Sequence, residues 1–131
     1  MKHVAKKRFG QNFLTDQGII QSLVEAINPQ ANDLMVEIGP GLGALTQPLL
    51  KKLNHLHVVE IDRDIIAWME SFYPKDKLTI HNSDALKFNF SELAKLSPDH
   101  KIRVTGNLPY NISTPILFHL LSNIDSIIDM H

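Results

Sequence analysis

Residues 34–46, LMVEIGPGLGALT, constrain the fold of this chain more than any other stretch. The mostly apolar run from Leu34 to Ile38 predicts a buried β-strand. Glycines then occupy every second position, and leucines at helical spacing follow them. Glycine adopts backbone angles that other residues avoid, and its missing Cβ lets a ligand lie against the main chain. The stretch therefore predicts a strand, a tight turn and a helix that together bring backbone N–H groups to a ligand.

The glycines Gly39, Gly41 and Gly43 have the spacing G-x-G-x-G and are preceded by Glu37. A dinucleotide-binding fingerprint would have the longer spacing G-x-G-x-x-G. The shorter form with its preceding acid resembles motif I of the S-adenosylmethionine (SAM)-dependent methyltransferases. The alternative is a strand-to-helix turn that binds no ligand, and the glycines alone do not decide between the two.

Strand and helix patterns alternate along the whole chain. Strands are predicted at 34–38, 56–61, 78–81 and 102–106, with the start of a fifth at 127–131. Helices are predicted before the first strand (ending at Asn28-Pro29), from the glycine turn to about Leu53, after Asp62 and, briefly, at 91–96. A further helix should open at Ser113 or Thr114. The helix before the first strand should bury Ile19, Ile20, Leu23, Val24 and Ile27. The helix after Asp62 should bury Ile65, Ile66, Met69 and Phe72.

This alternation predicts an α/β fold with a parallel sheet in the order 3-2-1-4, and the resemblance to motif I implies that it is the Rossmann-like fold of the SAM-dependent methyltransferases. At 131 residues the chain is one domain or part of one. The fifth strand has only its first few residues before His131, so we expect the sheet to be truncated there.

Composition argues against several kinds of protein. There is no cysteine, which excludes a disulfide framework and a thiolate metal site and fits a cytoplasmic location. The seven histidines lack ligand spacing, so we predict no metal site. No apolar run approaches the ~18 residues of a membrane span, and no signal-peptide pattern opens the sequence, so we expect no membrane association.

Chemically informative residues follow each of the first four predicted strands. They are Gly39, Glu60, Asp84 and Asn107, in chain order. In an open parallel sheet the carboxyl ends of the strands lie at one edge, and ligands bind there at the switch point, here between strands one and four. The convergence of these residues on one edge is the strongest structural argument in the sequence for a binding site.

Glu60 lies near the ~20-residue spacing at which a carboxylate accepts hydrogen bonds from ribose hydroxyls. That spacing fits NAD as well as SAM, and a helix-capping role beside Asp62 is a further alternative. Asp84 is placed to accept a hydrogen bond from an adenine amino group, although the sequence Asn-Ser-Asp is also common in turns.

The tetrad Asn107-Leu108-Pro109-Tyr110 suits methylation of the amino group of adenine. The nitrogen lone pair of that group is delocalised into the ring, and two hydrogen-bond acceptors on its hydrogens free it for attack on a sulfonium methyl. The side chain of Asn107 offers one acceptor, and a backbone carbonyl of Leu108 or Pro109 offers the other. Tyr110 offers a ring on which an extruded base can stack. The alternative is a loop in which Asn and Pro make a turn and Tyr packs.

A basic arm opens the chain, with Lys6, Lys7 and Arg8 all preceding the first acidic residue, Asp16. Such an arm suits contacts to RNA phosphates, and a solvated tail is the alternative.

Three motifs together resemble the bacterial 16S ribosomal RNA adenine N6,N6-dimethyltransferases, the kasugamycin-sensitivity enzymes. These motifs are KRFGQNFL at 7–14, EIGPGLG at 37–43 and NLPYNISTP at 107–115. The resemblance implies SAM as the cofactor, with Asn12 and Leu14 closing over its methionine end, Gly39 against it, Glu60 on the ribose and Asp84 on the adenine. It places Gln11, Gly41, Ile61 and Ala85 in the same cofactor site, and it places Asn107 at both the cofactor and the target base.

The resemblance also implies a substrate and partner, the small ribosomal subunit and its 16S rRNA, in which two adjacent adenosines of a hairpin loop near the 3′ end are dimethylated during ribosome biogenesis. Three other functions remain open: a DNA adenine N6-methyltransferase, a non-catalytic RNA-binding assembly factor with a SAM fold, and an NAD-binding module. The family continues into further strands and a helical C-terminal domain. We therefore expect residues 1–131 to be the N-terminal part of the catalytic domain and to be inactive alone. The exposed sheet edge should make them self-associate or leave them only marginally stable.

Overall fold

The computed structural model of the chain describes residues 17–97, 101–106, 119 and 127–130. Helices and strands alternate through these residues, as the sequence predicts. The helices are α1 (Gln17–Ile27), α2 (Thr46–Leu50), α3 (Arg63–Phe72) and α4 (Phe90–Ala94). The strands are β1 (Leu34–Ile38), β2 (Leu56–Glu60), β3 (Leu78–Asn82), β4 (Ile102–Gly106) and β5 (Ile127–Met130).

The sheet is built outward from β1, whose five residues are all buried. The strands lie in the order β3-β2-β1-β4-β5, and each neighbouring pair is parallel. This arrangement confirms the predicted Rossmann-like order 3-2-1-4, with β5 on the outer side of β4. The chain order reverses between β1 and β4, so the switch point lies where the sequence places it.

Two apolar clusters cover the two faces of the sheet. Residues of α1, α2 and α3 pack on one face with Met35, Leu56 and Val58. Residues of α4 pack on the other face with Val36 and Val104. Because side chains alternate along a strand, Glu37 points to the same face as Met35, beneath α1, α2 and α3.

Two apolar residues that the sequence assigns to helix faces are exposed. Ile19 is 52% exposed because α1 buries Ile20, Val24 and Ile27, and Ile19 lies at the margin of that stripe. Phe72 is also 52% exposed. It stacks on Trp68 of the same helix, with ring centroids 5.2 Å apart, and the following residue, Tyr73, is buried instead.

Several predicted element ends also differ from those observed: β3 ends at Asn82 rather than at 81, and α4 spans Phe90–Ala94 rather than 91–96. Strand β2 ends at Glu60 rather than Ile61, because Asp62 caps α3 by accepting a hydrogen bond from the N–H of Asp64 at 2.9 Å. Helix α2 ends at Leu50 rather than near Leu53. The N–H of Lys52 donates to the carbonyl of Leu49 at 3.0 Å, a tighter turn that closes the helix early.

Arg103 on β4 connects four separate parts of the chain at the amino edge of the sheet. Its guanidinium donates to Asp33 before β1 at 2.7 Å and to Asp129 on β5 at 2.9 Å. It also donates to the carbonyls of Ile27 and Asn28, where α1 ends. The side chain of Arg103 is 14% exposed, so these charge-assisted bonds form largely out of water. Arg103 therefore fixes α1, the entry to β1 and the edge strand β5 to one another.

We predict that Arg103→Met lowers the free energy of unfolding by about 2–4 kcal/mol, because it removes a charged donor from two part-buried carboxylates and from two helix-end carbonyls. Lys95→Met is the matched control. It removes a cation from the Lys95–Glu92 pair, whose side chains are 72% and 65% exposed, and should change stability by less than about 0.5 kcal/mol. Urea unfolding of both variants measures the difference, and equal losses would contradict the role of Arg103.

Candidate functional site

The glycine turn begins where β1 ends, at the carboxyl edge of the sheet. The N–H of Gly39 donates to the carbonyl of Val59 at 2.9 Å, which continues the pairing of β1 with β2. The N–H of Gly43 closes the turn on the carbonyl of Pro40 at 3.0 Å. Gly43 has φ +85° and Gly39 has φ +64°, a backbone region that favours glycine. The turn is thus a fixed backbone loop with few side chains at the switch point.

The carboxylate of Glu60 lies beside this turn. Its Oε2 accepts hydrogen bonds from the N–H groups of Ile61 and Asp62, each at 3.0 Å. Burial raises the pKa of Glu60, and hydrogen bonds from the backbone of Asp62, Ile61 and Gly41 partly offset that rise. A carboxylate has about four lone-pair sites, so these three bonds leave capacity for another donor. Glu60 is therefore held by the main chain on both sides and can still accept a bond from a ligand hydroxyl.

The loop after β3 brings Asp84 and Ala85 to the same edge. The carbonyl of Glu60 accepts the N–H of Ser83 at 3.2 Å, which joins this loop to the end of β2. Oδ1 of Asp84 accepts the N–H of Leu86 at 2.9 Å, so the turn role considered from the sequence is present in the structure. The predicted contact of Asp84 with adenine remains a prediction.

Exposed apolar side chains flank the ends of β1, β2 and β3. Leu42 in the glycine turn is 45% exposed, Ile61 after β2 is 64% exposed, and Leu86 after β3 is 39% exposed. Ile61 was expected in the site from the sequence, whereas Leu42 and Leu86 were not. Leu42 and Leu86 could have been predicted only from their position, because each follows the end of a strand by a few residues.

A buried acid beneath the turn is a further feature that the candidate residues did not include. Glu37 is 1% exposed, and its Oε1 accepts a hydrogen bond from the Thr46 hydroxyl at 2.5 Å. This bond joins β1 to the first residue of α2, on either side of the turn. Thr105 lies opposite Glu37 on β4, and its hydroxyl is buried with no hydrogen-bond partner among the described residues.

Burial raises the pKa of Glu37 to about 7, since no cation among the described residues compensates its charge. The hydrogen bond from Thr46 lowers this pKa, and the neighbouring carboxylate of Glu60 raises it. Glu37 therefore exchanges a proton with solvent near neutral pH, unlike an exposed carboxyl group.

Several predicted site residues lie outside the described part of the chain. They are Lys6, Lys7, Arg8, Gln11, Asn12, Leu14, Asn107, Leu108, Pro109 and Tyr110. The described chain reaches Gly106, which pairs with Ile38 across β4 and β1, so Asn107 follows directly from the switch point. The helix predicted from Ser113 or Thr114 also falls largely outside the described residues.

Three histidines lie in or directly before β2 and β3, and each makes a hydrogen bond within the protein. Nδ1 of His57 lies 3.0 Å from Nε2 of His81. His55 donates from Nδ1 to the carbonyl of Asp76 at 2.9 Å, and its Nε2 lies 2.6 Å from the Thr79 hydroxyl. In the described ranges no group of three or more possible ligand side chains could hold a metal ion. Nor is any helix in those ranges long and apolar enough to span a bilayer.

Comparison with protein families shows to which family this chain belongs. The model of the family described as ribosomal RNA adenine dimethylase matches residues 2–131. The chain belongs to the ribosomal RNA adenine dimethylase family. This membership confirms the resemblance based on the three sequence motifs.

Individual members of the dimethylase family are similar over the whole chain. A ribosomal RNA small subunit methyltransferase A from Methylobacillus flagellatus is 72% identical over 131 residues, which are 100% of this chain and 49% of that protein. The protein of the same name from Chromobacterium violaceum is 56% identical over 99% of this chain and 48% of its own length. The chain therefore spans about half the length of the curated relatives it matches.

Solved structures support the same fold. A dimethyladenosine transferase from Plasmodium falciparum superposes with a TM-score of 0.64 at 29% identity, over 82% of this chain and 37% of that one. The 23S rRNA methyltransferase ErmE superposes with a TM-score of 0.63 at 22% identity, over 81% of this chain and 41% of that one. The second likeness shows the fold alone.

We predict that Glu37→Gln stabilises the chain at high pH relative to low pH. The folded-state pKa of Glu37 lies above the ordinary value of 4.5, so its contribution to stability is present below pH 4.5 and is lost as the pH rises through about 7. Glutamine keeps the oxygen that Thr46 needs and does not ionise. Between pH 5 and pH 8 the free energy of unfolding should therefore shift in favour of the variant by at most about 3 kcal/mol.

Urea unfolding at both pH values checks this prediction. The wild-type profile also contains the titration of other groups, so the quantity of interest is the difference between the variant and wild type. A difference that does not change between pH 5 and pH 8 would show that Glu37 is ionised throughout.

Proposed function

We propose that this chain is the N-terminal part of the catalytic domain of an enzyme that transfers methyl groups from SAM to ribosomal RNA. The products are N6,N6-dimethyladenosines at two adjacent positions in a hairpin loop near the 3′ end of small-subunit rRNA, formed in the cytoplasm during ribosome biogenesis. The match of residues 2–131 to the dimethylase family carries this proposal. In this proposal the rest of the sheet and a C-terminal helical domain make up the remainder of the complete protein.

The described residues fit SAM at the carboxyl edge of the sheet. The turn from Gly39 to Gly43 presents main chain at the switch point, where open α/β sheets bind ligands. Glu60 accepts hydrogen bonds from the ribose hydroxyls with the lone pairs that the backbone bonds leave available. Ile61 and Leu86 supply apolar surface for the adenine ring, with Asp84 at its amino group and Ala85 beside it.

The residues outside the described ranges complete this site in our proposal. Asn12 and Leu14 lie over the methionine end of the cofactor, and Gln11 belongs to the same site. Lys6, Lys7 and Arg8 contact phosphates of the RNA, where each contact adds affinity that falls with rising salt.

Bound SAM supplies a methyl group on a positively charged sulfur. The part played by the chain is to present the adenine nitrogen with its lone pair available. The side-chain oxygen of Asn107 accepts a hydrogen bond from one amino hydrogen, and a backbone carbonyl of Leu108 or Pro109 accepts one from the other. Both bonds draw the nitrogen from planar towards tetrahedral geometry. Tyr110 holds the base by stacking on its face. The amine loses a proton readily after methylation, so the site needs no strong general base.

We predict that the complete protein containing this chain dimethylates small ribosomal subunits that lack the modification, and that it leaves duplex DNA unmodified. Asn107→Ala should retain SAM affinity within about threefold but lose most of the turnover, because it removes an acceptor needed mainly in the transition state. Tyr110→Phe is the matched control, since it keeps the stacking ring and should have a mild effect.

Mass spectrometry of the digested rRNA and DNA measures the products. Methylation of duplex DNA but not of subunits would favour a DNA methyltransferase instead. A wild type that binds RNA but transfers no methyl group would favour a non-catalytic assembly factor. So would an Asn107→Ala variant that performs the same RNA-binding role as the wild type.

A further inference from the structure

Tyr73 places a buried hydroxyl against the glycine turn from a different part of the chain. It follows α3, is 9% exposed, and forms part of the same apolar cluster as the inner faces of α1, α2 and α3. A Cβ built on Gly43 would lie 2.7 Å from this hydroxyl, closer than real Cβ contacts allow. The same Cβ would lie 3.7 Å from the Trp68 ring, an ordinary contact. The hydroxyl of Tyr73 therefore occupies the space that any side chain at position 43 would need.

Gly43 is hydrogen-bonded both within the turn and to the start of α2, so a movement of Gly43 would disturb both. Its N–H closes the turn on Pro40 at 3.0 Å, and its carbonyl accepts the N–H of Gln47 at 3.1 Å as α2 begins. With φ +85° and no side chain, Gly43 has more accessible backbone conformations than any other residue type would have there. An atom packed against its Cα restricts that freedom.

The hydroxyl of Tyr73 contributes little to the stability of the fold. It is buried and makes no hydrogen bond of normal geometry with a described residue. Burial and then the charge of Glu37 raise the pKa of Tyr73 to about 12, and a weak hydrogen bond to the side chain of Gln47 offsets part of that rise. The group therefore stays protonated at working pH, close to the acid that joins β1 to α2. Because its polar contacts are weak, the role of this hydroxyl lies in the space that it fills beside Gly43.

We propose that Tyr73 is a positioning residue for the cofactor: its hydroxyl braces Gly43 and so holds the turn in the form that binds SAM. The proposal rests on the proposed function in one respect, that the turn binds SAM. Tyr73 touches the turn rather than the reacting atoms, so it acts on cofactor affinity through Gly43. Tyr73 and Gly43 should therefore behave as an energetically coupled pair.

The test is a set of four proteins, namely the wild type, Tyr73→Phe, Gly43→Ala and the double variant, each titrated with SAM by calorimetry and unfolded by heat. Tyr73→Phe should weaken SAM binding about 3- to 10-fold, within the range for residues in contact, while its melting temperature stays equal or rises. A merely structural tyrosine would lower both together. An affinity unchanged within twofold would overturn the proposal.

Gly43→Ala should weaken SAM binding more in the wild-type background than in the Tyr73→Phe background. Part of the cost of Gly43→Ala is backbone strain at positive φ, which is present in both backgrounds. The part that comes from the collision with the Tyr73 hydroxyl is absent in the Tyr73→Phe background. Gly41→Ala is the control. Gly41 has φ +58° in the same turn, and the collision with Tyr73 is recorded at Gly43, so the cost of Gly41→Ala should be the same in both backgrounds.

Equal costs of Gly43→Ala in the two backgrounds would show that the pair is not coupled and would overturn the proposal. If Gly43→Ala does not fold, the opposite changes in stability and affinity expected for Tyr73→Phe still decide the matter. A wild type that does not bind SAM would instead refute the proposed function, which separates the two failures.

Discussion

The hydrogen bond from Thr46 to Glu37 is the interaction on which the site depends. The two residues stand on either side of the glycine turn, and the 2.5 Å bond between them joins the end of β1 to the start of α2. Glu37 is buried in the central strand, with β2 and β4 on its two sides, so it provides a fixed anchor. A second carboxylate, Glu60, accepts hydrogen bonds from its own turn and from Gly41. The hydrogen bonds of Glu37 and Glu60 thus fix the glycine turn in the absence of a ligand.

Most of the framework could be predicted from the sequence because its signals are local. The bounds of β1 follow from five successive, mostly apolar residues before a glycine, and the cap of α3 follows from Asp62 at the end of a strand. The strand order follows from alternation and from the general rule on switch points. The edge of the sheet that carries Gly39, Glu60 and Asp84 follows directly from that order.

Other features could not be predicted because they join residues far apart in sequence. Arg103 bonds to Asp33, which is 70 positions earlier, and Tyr73 meets the turn at Gly43. Phe72 is exposed because the chain leaves α3 at Tyr73 with an extended backbone, and Tyr73 is the residue that is buried. For Arg103 the sequence shows a charged residue within a strand but not the residues to which it bonds.

The choice between SAM and NAD depends on the same edge of the sheet. A carboxylate at the end of β2 fits the ribose of either cofactor, so Glu60 does not discriminate. The shorter glycine spacing and the membership of the dimethylase family both favour SAM. Calorimetric titration of residues 1–131 with SAM and, separately, with NAD tests this account most directly. We expect saturable binding of one SAM per chain and no binding of NAD. Glu60→Gln should weaken SAM binding about 10- to 150-fold through the loss of charge-assisted hydrogen bonds. Binding of NAD without SAM, or SAM affinity unaffected by Glu60→Gln in a folded protein, would contradict it.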